Sequence, residues 1–373
     1  MSDAAANPVV LDARMVRHSG IGTHIRGLLE GWREAAPDFR PILIGDPAML
    51  RETLPDVERY TIVPFRAAVY SIREQLAWPV KALRGALLHV PHYNIPLRYR
   101  GPLVVTIHDL IHLDRRYGPR SPLKRAYAAM MLRAAAARAG RICAVSQATA
   151  SDLVARLRVP ADRINVVYNA PAKIFLHFQP DPAQIEMFRG AWALPDDYFL
   201  AVGIDKPHKN LDLILDAVAS LRREGRLRAP LVVAGLQDAE RRPFQARVAR
   251  RDLGGAIRVL ERIPADALPL LYYGARALVH ASLLEGFGLP IVEAQAVGTP
   301  VLAARASAVP EIAGEGALYF DPRRAEDLAR QMIALIESPD LRESLVAAGR
   351  RNVARFSWRV SAAQVLAVYA SVR

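Results

Sequence analysis

The chain has 373 residues, 52% of them hydrophobic and 23% charged, a composition typical of globular proteins and long enough for two domains. It has no run of 18 apolar residues and no basic segment followed by an apolar core at its start. We therefore expect neither a membrane span nor secretion. The single cysteine, Cys143, has no partner for an internal disulfide, which suits a reducing cytoplasm.

The net charge of +13 is unevenly distributed. Residues 1–172 hold 24 Lys and Arg against 14 Asp and Glu, whereas residues 173–373 hold 26 against 23. A basic first half can attract anionic lipid, nucleic acid or a phosphorylated acceptor. Because no zinc-finger spacing or RNA-binding aromatic signature accompanies the charge, we expect no nucleic-acid partner. The charge leaves open a peripheral position at the anionic inner face of the cytoplasmic membrane.

Short apolar strands alternate with helical segments along the first half. Strands are predicted at 9–12, 41–45, 59–63, 87–90, 103–108, 141–146 and 164–168. Helices are predicted at 20–34, at 71–84 with a kink or break at Pro79, at 122–139 and from about 148. The alternation indicates an α/β domain with a parallel sheet.

The second half repeats this pattern. Strands are predicted at 198–203, 231–235, 257–260, 277–280, 300–303 and 317–320, with helices between them and a final helix over 359–372. Prolines at positions 171, 180, 182 and 195 fall between the two halves. They suggest a linker over 173–197, with a short helix near 185–189, between domains at 1–172 and 198–357.

The most informative segment follows the strand 277–280. It runs Glu285-Gly-Phe-Gly-Leu-Pro-Ile-Val-Glu293, with two carboxylates eight residues apart and a glycine-rich turn between them. A helix over 290–296 places its free backbone N–H groups at this turn, which suits a phosphate. Gly286 and Gly288 allow a ligand to approach the backbone closely.

The two glutamates fit the sugars of such a ligand. Glu293 can accept hydrogen bonds from a diol such as a ribose, and Glu285 lies at the strand end, where ligands of open α/β sheets bind. The segment therefore predicts a sugar-nucleotide site. The structural alternative is a plain strand–turn–helix with a solvated glutamate at each end.

Further motifs occur along almost the full chain. They are Ser19-Gly-Ile-Gly-Thr-His, Pro91-His-Tyr-Asn-Ile-Pro, Val105-Thr-Ile-His-Asp-Leu, Ala144-Val-Ser, Val167-Tyr-Asn, His208-Lys-Asn-Leu and Val309-Pro-Glu-Ile-Ala-Gly. Together with the segment 285–293 and in this order, they resemble the retaining glycosyltransferases of family 4. The resemblance implies the GT-B fold, in which two Rossmann-like domains with parallel sheets face each other across a cleft. It also implies that the C-terminal helix, 358–373, completes the first domain.

The resemblance implies roles for individual residues. Catalytic candidates are His108, which ends a strand, Lys209, which can neutralise the departing diphosphate, and Glu285. His92 is a candidate on the acceptor side. The donor-binding candidates are Gly22, Lys206, Lys209, Gly286, Phe287, Gly288, Leu289 and Glu293. Many relatives carry an arginine where this chain has Ile204, and Lys206 is the cation that can substitute for it.

The implied reaction transfers a hexose, with mannose favoured, from a nucleoside diphosphate sugar to a glycan or lipid-linked acceptor of polysaccharide or lipopolysaccharide biosynthesis. It retains the anomeric configuration by front-face substitution. The sequence has no Asp-x-Asp pair and no His/Cys cluster at metal spacing, so we expect no metal and no cofactor. Two alternatives stay open: a sugar-nucleotide epimerase, and a non-catalytic sugar-nucleotide-binding scaffold subunit, which the residue Ile204 would fit.

Overall fold

A computed structural model of the chain describes residues 8–261 and 263–372. These residues form two compact units. Unit 1 extends to Ala170 and resumes at Phe356, and unit 2 comprises Pro171–Arg355. None of the helices in the described ranges is long and apolar enough to cross a membrane.

Unit 1 contains a seven-stranded parallel sheet. Its strands are β1 (Val9–Asp12), β2 (Ile42–Gly45), β3 (Ile62–Pro64), β4 (Leu87–Val90), β5 (Leu103–Ile107), β6 (Arg141–Ala144) and β7 (Ile164–Val166). Their spatial order is β3-β2-β1-β4-β5-β6-β7. The chain order therefore reverses between β1 and β4, and at such a switch point the loops after the strands diverge and leave room for a ligand. The central strands are buried throughout because helices cover both faces of the sheet.

Five helices of unit 1 precede Ala170. They are α1 (Ser19–Ala35), α2 (Pro47–Thr53), α3 (Ile72–Ala77), α4 (Pro122–Arg138) and α5 (Gln147–Leu157). Helix α2 was not predicted, although Asp46 caps it by accepting the N–H of Ala48 and Pro47 occupies its first turn.

Two predicted elements of unit 1 differ from the structure. The helix over 71–84 ends at Ala77, because Trp78 takes an extended conformation before Pro79 and the chain continues in turns. The third strand begins at Ile62 rather than at 59, because the residues before it form a short 3-10 turn (Val57–Arg59).

Unit 2 contains a six-stranded parallel sheet. Its strands are β8 (Phe199–Val202), β9 (Leu231–Ala234), β10 (Ile257–Val259), β11 (Ala277–His280), β12 (Val301–Ala304) and β13 (Ala317–Phe320), in the order β10-β9-β8-β11-β12-β13. The switch point lies between β8 and β11. The helices are α6 (Lys173–Leu176), α7 (Pro182–Ala191), α8 (Leu211–Arg223), α9 (Asp238–Arg250), α10 (Leu268–Tyr273), α11 (Leu289–Val297), α12 (Val309–Ala313), α13 (Ala325–Glu337) and α14 (Pro339–Val353).

The segment 173–197, suggested by its prolines as a linker, folds with unit 2. Phe175 and Phe188 are buried in the core of that unit. Pro182 begins α7, where Asp181 caps the helix by accepting the N–H of Ala183. The prolines here thus mark helix starts as well as loops.

The last helix, α15 (Trp358–Ala370), belongs to unit 1 and packs on α1. A side chain at Gly27 would overlap the ring of Trp358, so the glycine permits this close approach. The Trp32 indole N–H donates to the carbonyl of Ala362 at 3.0 Å, and the Tyr369 hydroxyl lies 2.7 Å from His89 Nδ1. These contacts fix the helix in register.

Candidate active site

The corner between β11 and α11 carries the glycine-rich turn of unit 2. Gly288 stands at the N-cap of α11 with a φ of +97°, a left-handed conformation that favours glycine. Since the N-cap residue is a glycine, it provides no side-chain cap for this helix start. Phe287 is buried beneath the turn, and Leu289 is the first helical residue. The helix start can therefore bind an anion through its backbone N–H groups and its dipole.

Glu285 lies in this turn, and three side chains approach its Oε1. Lys209 Nζ is 2.5 Å away, Ser282 Oγ donates at 2.8 Å, and His280 Nε2 is at 3.3 Å. Burial alone would favour the neutral acid, but Lys209 and His280 oppose it and hold the pKa of Glu285 well below its usual range. Glu285 is therefore a carboxylate at physiological pH.

These contacts orient the carboxylate of Glu285. Among the described residues, the side-chain contacts of Glu285 all converge on Oε1, so Oε2 makes no side-chain hydrogen bond. The main chain at Glu285 is tied to Ser307, whose hydroxyl donates to the Glu285 carbonyl at 2.9 Å. Ser307 itself has a φ of +52°. One carboxylate oxygen is thus anchored, and the other can accept a hydrogen bond from a ligand.

Lys209 ends a short 3-10 turn (Pro207–Lys209) that follows β8. The loop that contains Lys209 is fixed by a backbone hydrogen bond of 2.7 Å from the N–H of Leu283 to the carbonyl of His208. The Lys209 side chain is only 18% exposed, so its charge is weakly screened. Lys209 thus lies in the loop after β8, and Glu285 lies in the loop after β11. The switch point is between these two strands.

Glu293 lies in the second turn of α11. Burial raises its pKa to about 7, although the hydroxyl of Tyr272 donates to Oε2 at 2.8 Å and favours the ionised form. Tyr272 is itself fully buried, and its carbonyl accepts the hydroxyl proton of Thr299. Glu293 therefore changes charge near neutral pH, unlike Glu285.

Lys206, the predicted substitute for a missing arginine, is held by another carboxylate. Its Nζ lies 3.2 Å from Glu240 Oε1, and Glu240 also accepts the backbone N–H groups of Asp205 and Gln237 at 3.0 Å each. The Lys206 side chain is 48% exposed. Lys206 and Lys209 thus share a loop but pair with different carboxylates, and Ile204 adds no charge.

The unit 1 candidates have distinct surroundings. His108 follows β5, and its Nε2 lies 3.1 Å from the carbonyl of Pro91, so Nε2 carries the proton and Nδ1 holds the lone pair. Burial and the nearby His24 keep the pKa of His108 well below its usual range, so the ring is neutral. Its role as a sugar contact stays a prediction.

His92 and Gly22 have structural explanations. His92 is buried, its Nδ1 accepts the N–H of Asn94 at 3.1 Å, and its Nε2 lies 3.1 Å from Asp12 Oδ2. Both ring nitrogens are engaged, which favours a positioning role over the predicted acceptor contact. Gly22 lies inside α1 rather than in a loop, and a side chain there would overlap the carbonyl of Val16.

The sequence reading missed His280, Ser282 and Tyr272. His280 and Ser282 precede Glu285 by five and three residues, and polar residues directly after a buried strand are a usable signal. Tyr272 lies 21 residues before Glu293 and gives no local signal. Within the described ranges, no three or more His, Cys, Asp or Glu side chains converge as metal ligands would.

Two family models match the chain. Residues 183–352 match glycosyl transferases group 1, and residues 18–170 match glycosyltransferase family 4. The chain belongs to the family 4 glycosyltransferases. The glycosyltransferase is 29% identical over 296 residues to O-antigen chain mannosyltransferase B of Escherichia coli, an alignment that covers 79% of this chain and 76% of that one.

Another relative and a solved structure extend the comparison. The MMP alpha-(1->4)-mannosyltransferase of Mycolicibacterium hassiacum is 31% identical over 281 residues, which cover 72% of this chain and 65% of that one. Anabaena HepE, solved in complex with UDP and glucose, superposes with a TM-score of 0.77 at 20% identity, over 98% of this chain and 100% of that one. The predicted GT-B fold, with its two parallel sheets, is confirmed.

Proposed function

We propose that this glycosyltransferase transfers a hexose, with mannose favoured, from a nucleoside diphosphate sugar to a glycan or lipid-linked acceptor, with retention of configuration. The observation that carries the proposal is the Lys209–Glu285 ion pair beside the uncapped start of α11, with Glu293 one turn further along. Two relatives named as mannosyltransferases favour mannose, and the name of one refers to the O-antigen chain.

The proposed donor uses the turn, the lysine and both glutamates. The diphosphate lies at the helix start, where the dipole and Lys209 offset its charge. The lysine ammonium has three donors, so one N–H can stay on Glu285 while another binds phosphate. Glu285 Oε2 accepts a hydroxyl proton of the transferred sugar, and Glu293 accepts those of the ribose.

Retention follows if the acceptor oxygen attacks on the face that the diphosphate leaves. The bond between C1 and the phosphate oxygen breaks as the bond between C1 and the acceptor oxygen forms, and the acceptor proton passes to the departing phosphate. No side-chain nucleophile is needed. Lys209 lowers the barrier because negative charge on the diphosphate grows in the transition state.

The proposal includes no metal and no cofactor. Lys209 and the start of α11 supply the positive charge that other phosphate sites draw from a divalent cation. Turnover that is unchanged after chelation with EDTA is the expected result. A loss of activity that Mg²⁺ or Mn²⁺ restores would contradict this part of the proposal.

We also propose that the protein acts at the inner face of the cytoplasmic membrane. Residues 115–151 contain eight Lys and Arg and no Asp or Glu. Within this segment α4 exposes Leu123 (80%) and Met130 (48%), seven residues apart and hence on one face. Exposed apolar side chains among basic ones suit an anionic lipid surface.

Vesicle sedimentation tests the membrane proposal. Vesicles containing phosphatidylglycerol should bind the wild-type protein at low salt and release most of it at high salt. The double variant L123S/M130S should bind more weakly than the matched control V154S, which changes an exposed apolar residue on α5. Equal binding of the two variants would reject the α4 face.

The reaction is tested by incubating the protein with GDP-mannose and candidate acceptors and determining the product anomer by NMR. GDP-mannose carries an α-linked sugar, so an α-linked product indicates retention. A β-linked product would contradict the proposed mechanism. Nucleotide binding without consumption of any donor would favour the scaffold alternative, for which Ile204 is the supporting observation.

A further inference from the structure

A closed ring of polar contacts lies at the switch point of unit 1. Arg14 Nη2 binds Asp12 Oδ2 at 2.6 Å and Glu74 Oε1 at 2.8 Å. Asn94 Nδ2 donates to Glu74 Oε2 at 2.5 Å, and His92 joins Asn94 to Asp12. The five side chains are buried. Apart from Arg14 Nη1, which has no hydrogen-bond partner among the described residues, the charged groups pair within the ring, so the ring is suited to support a neighbouring surface.

An aromatic cluster adjoins this ring. Tyr70, Tyr93 and His112 follow β3, β4 and β5 and therefore lie at the carboxyl edge of the sheet. The ring centroids of Tyr70 and Tyr93 are 5.5 Å apart, and those of Tyr93 and His112 are 5.3 Å apart. Tyr70 is 42% exposed, and its centroid is 6.3 Å from that of His92. We call Tyr70, Tyr93 and His112 the aromatic platform.

The backbone of Tyr70 is strained. Its φ of +68° lies in the left-handed region, which a bulky residue rarely adopts. The conformation is fixed because the Tyr70 N–H donates to Glu74 Oε2 at 2.7 Å, and Glu74 is a member of the polar ring. A strained residue held by a buried network is common at binding and catalytic sites. The polar ring thus keeps an aromatic side chain at the surface.

The hydroxyl groups of the platform are suited to a polyol. The rings of Tyr70 and Tyr93 are neighbours, and Asp109 lies close enough to act on both hydroxyls. Burial raises the pKa of Tyr70 to about 12 and that of Tyr93 further, so both stay protonated donors. A pyranose offers an apolar C–H face for an aromatic ring and hydroxyls at its rim.

We propose that the aromatic platform binds a pyranose ring of the acceptor. The proposal rests on the glycosyl transfer proposed above, and it assigns acceptor binding to Tyr70 and Tyr93 instead of His92. Tyr70 supplies the exposed ring face, and the hydroxyl pair beside Asp109 supplies hydrogen bonds to the rim. The platform requires a sugar at this position of the acceptor, whether or not a lipid is attached further away.

The test uses methyl α-D-mannopyranoside, observed by saturation-transfer-difference NMR with the full chain and no donor. Y70G removes the ring but tolerates the left-handed backbone, so the variant should fold. We expect its dissociation constant to rise about three- to tenfold. Y70F keeps the aromatic ring and should change the dissociation constant less. L76A, which shortens an exposed side chain on α3, should match wild type.

Two outcomes overturn the proposed platform. One is equal affinity of wild type and Y70G for the mannoside, and the other is no saturation transfer from the wild-type protein to the mannoside. A transfer assay separates this failure from failure of the proposed function. If donor transfer proceeds and Y70G leaves the acceptor KM unchanged, the platform is wrong and the function stands. If no donor is consumed but mannoside binding still depends on Tyr70, the platform stands and the function is wrong.

Discussion

The two sheets have the same strand order around their switch points, yet the charges there are arranged differently. In unit 1, Arg14 pairs with both Asp12 and Glu74 in a buried ring. In unit 2, Lys209 and Glu285 are paired through one oxygen only, and Glu293 has a pKa of about 7. In the first arrangement both carboxylates already pair with a buried cation of the protein. The second leaves hydrogen-bonding capacity that a ligand can use.

This difference separates stability from activity. Removing one partner from a buried ion-pair network destabilises the protein, because a buried charge is left uncompensated. Substituting a residue in a site with unused hydrogen-bonding groups costs less folding stability. Such a substitution instead removes interactions that stabilise the transition state. Substitutions in the two corners should therefore affect different measurements.

The largest stability effect is expected for Arg14→Ala. The change leaves two buried carboxylates without their cation and should lower the free energy of unfolding of unit 1 by about 3–5 kcal/mol. Chemical denaturation followed by circular dichroism measures this loss. Arg84→Ala, at an exposed arginine of the same unit, is the control and should stay within about 0.5 kcal/mol of wild type. A loss below about 1 kcal/mol for Arg14→Ala would show that the buried ring does not stabilise unit 1.

The largest effect on turnover is expected for Glu285→Gln. The amide removes the negative charge that orders Lys209 and should lower kcat about 10²- to 10³-fold. Nucleoside diphosphate binding should persist, because the helix start and Glu293 are unchanged. Steady-state kinetics on this variant and on Glu186→Gln, an exposed control in α7, provide the comparison. Turnover within a factor of three of wild type would exclude Glu285 from the reaction.

The two lysines of the β8 loop should differ. Lys209→Ala should lower turnover by about 10²-fold, since Lys209 meets the charge that develops on the diphosphate. Lys206→Ala should lower it only a few-fold, because Lys206 is half exposed and paired with Glu240. Equal losses in the two variants would mean that Lys206 also acts on the diphosphate and supplies the charge missing at Ile204.

A smaller effect than that of Lys209→Ala concerns pH. In the proposed donor complex, ribose hydroxyls bind the ionised form of Glu293. Its pKa of about 7 means that this carboxyl group is half protonated at pH 7 in the unbound protein. Affinity for the nucleoside diphosphate should therefore rise with pH, by about tenfold between pH 6 and pH 8. Isothermal titration calorimetry at several pH values measures this affinity. Glu293→Gln corrects for titration of the nucleotide itself, and an identical pH dependence in that variant would show that Glu293 does not titrate on binding.

The sequence predicted the fold class well because strands such as Leu103–Ile107 are short, mainly apolar runs between helical segments. It was less accurate about where elements begin and end. The short helix predicted near 185–189 begins at Pro182, and the helix predicted over 71–84 with a kink or break at Pro79 ends at Ala77. The prediction of Glu285, Gly288 and Glu293 came from one contiguous motif, whereas Lys209 and Tyr272, which contact the two glutamates, are distant in sequence.

Long-range contacts explain what the sequence could not give at the candidate sites. His92 looked available in its motif, but Asp12, 80 residues away, engages its ring. Tyr272 controls the surroundings of Glu293 from a separate helix. The left-handed backbone of Tyr70 has no signature in residue type, because tyrosine rarely adopts it. Such contacts and backbone conformations can be identified only from the folded structure.

The central claim is that the corner between β11 and α11 binds a nucleoside diphosphate. Thermal shift with GDP, UDP, ADP and dTDP, on wild type and on Glu293→Ala, tests it most directly. A nucleotide at about 100 times its dissociation constant should stabilise the wild-type protein by about 2.7 kcal/mol, and Glu293→Ala should lose most of that shift. Stabilisation by none of the four, or an equal shift in the variant, would contradict the assignment of the donor site.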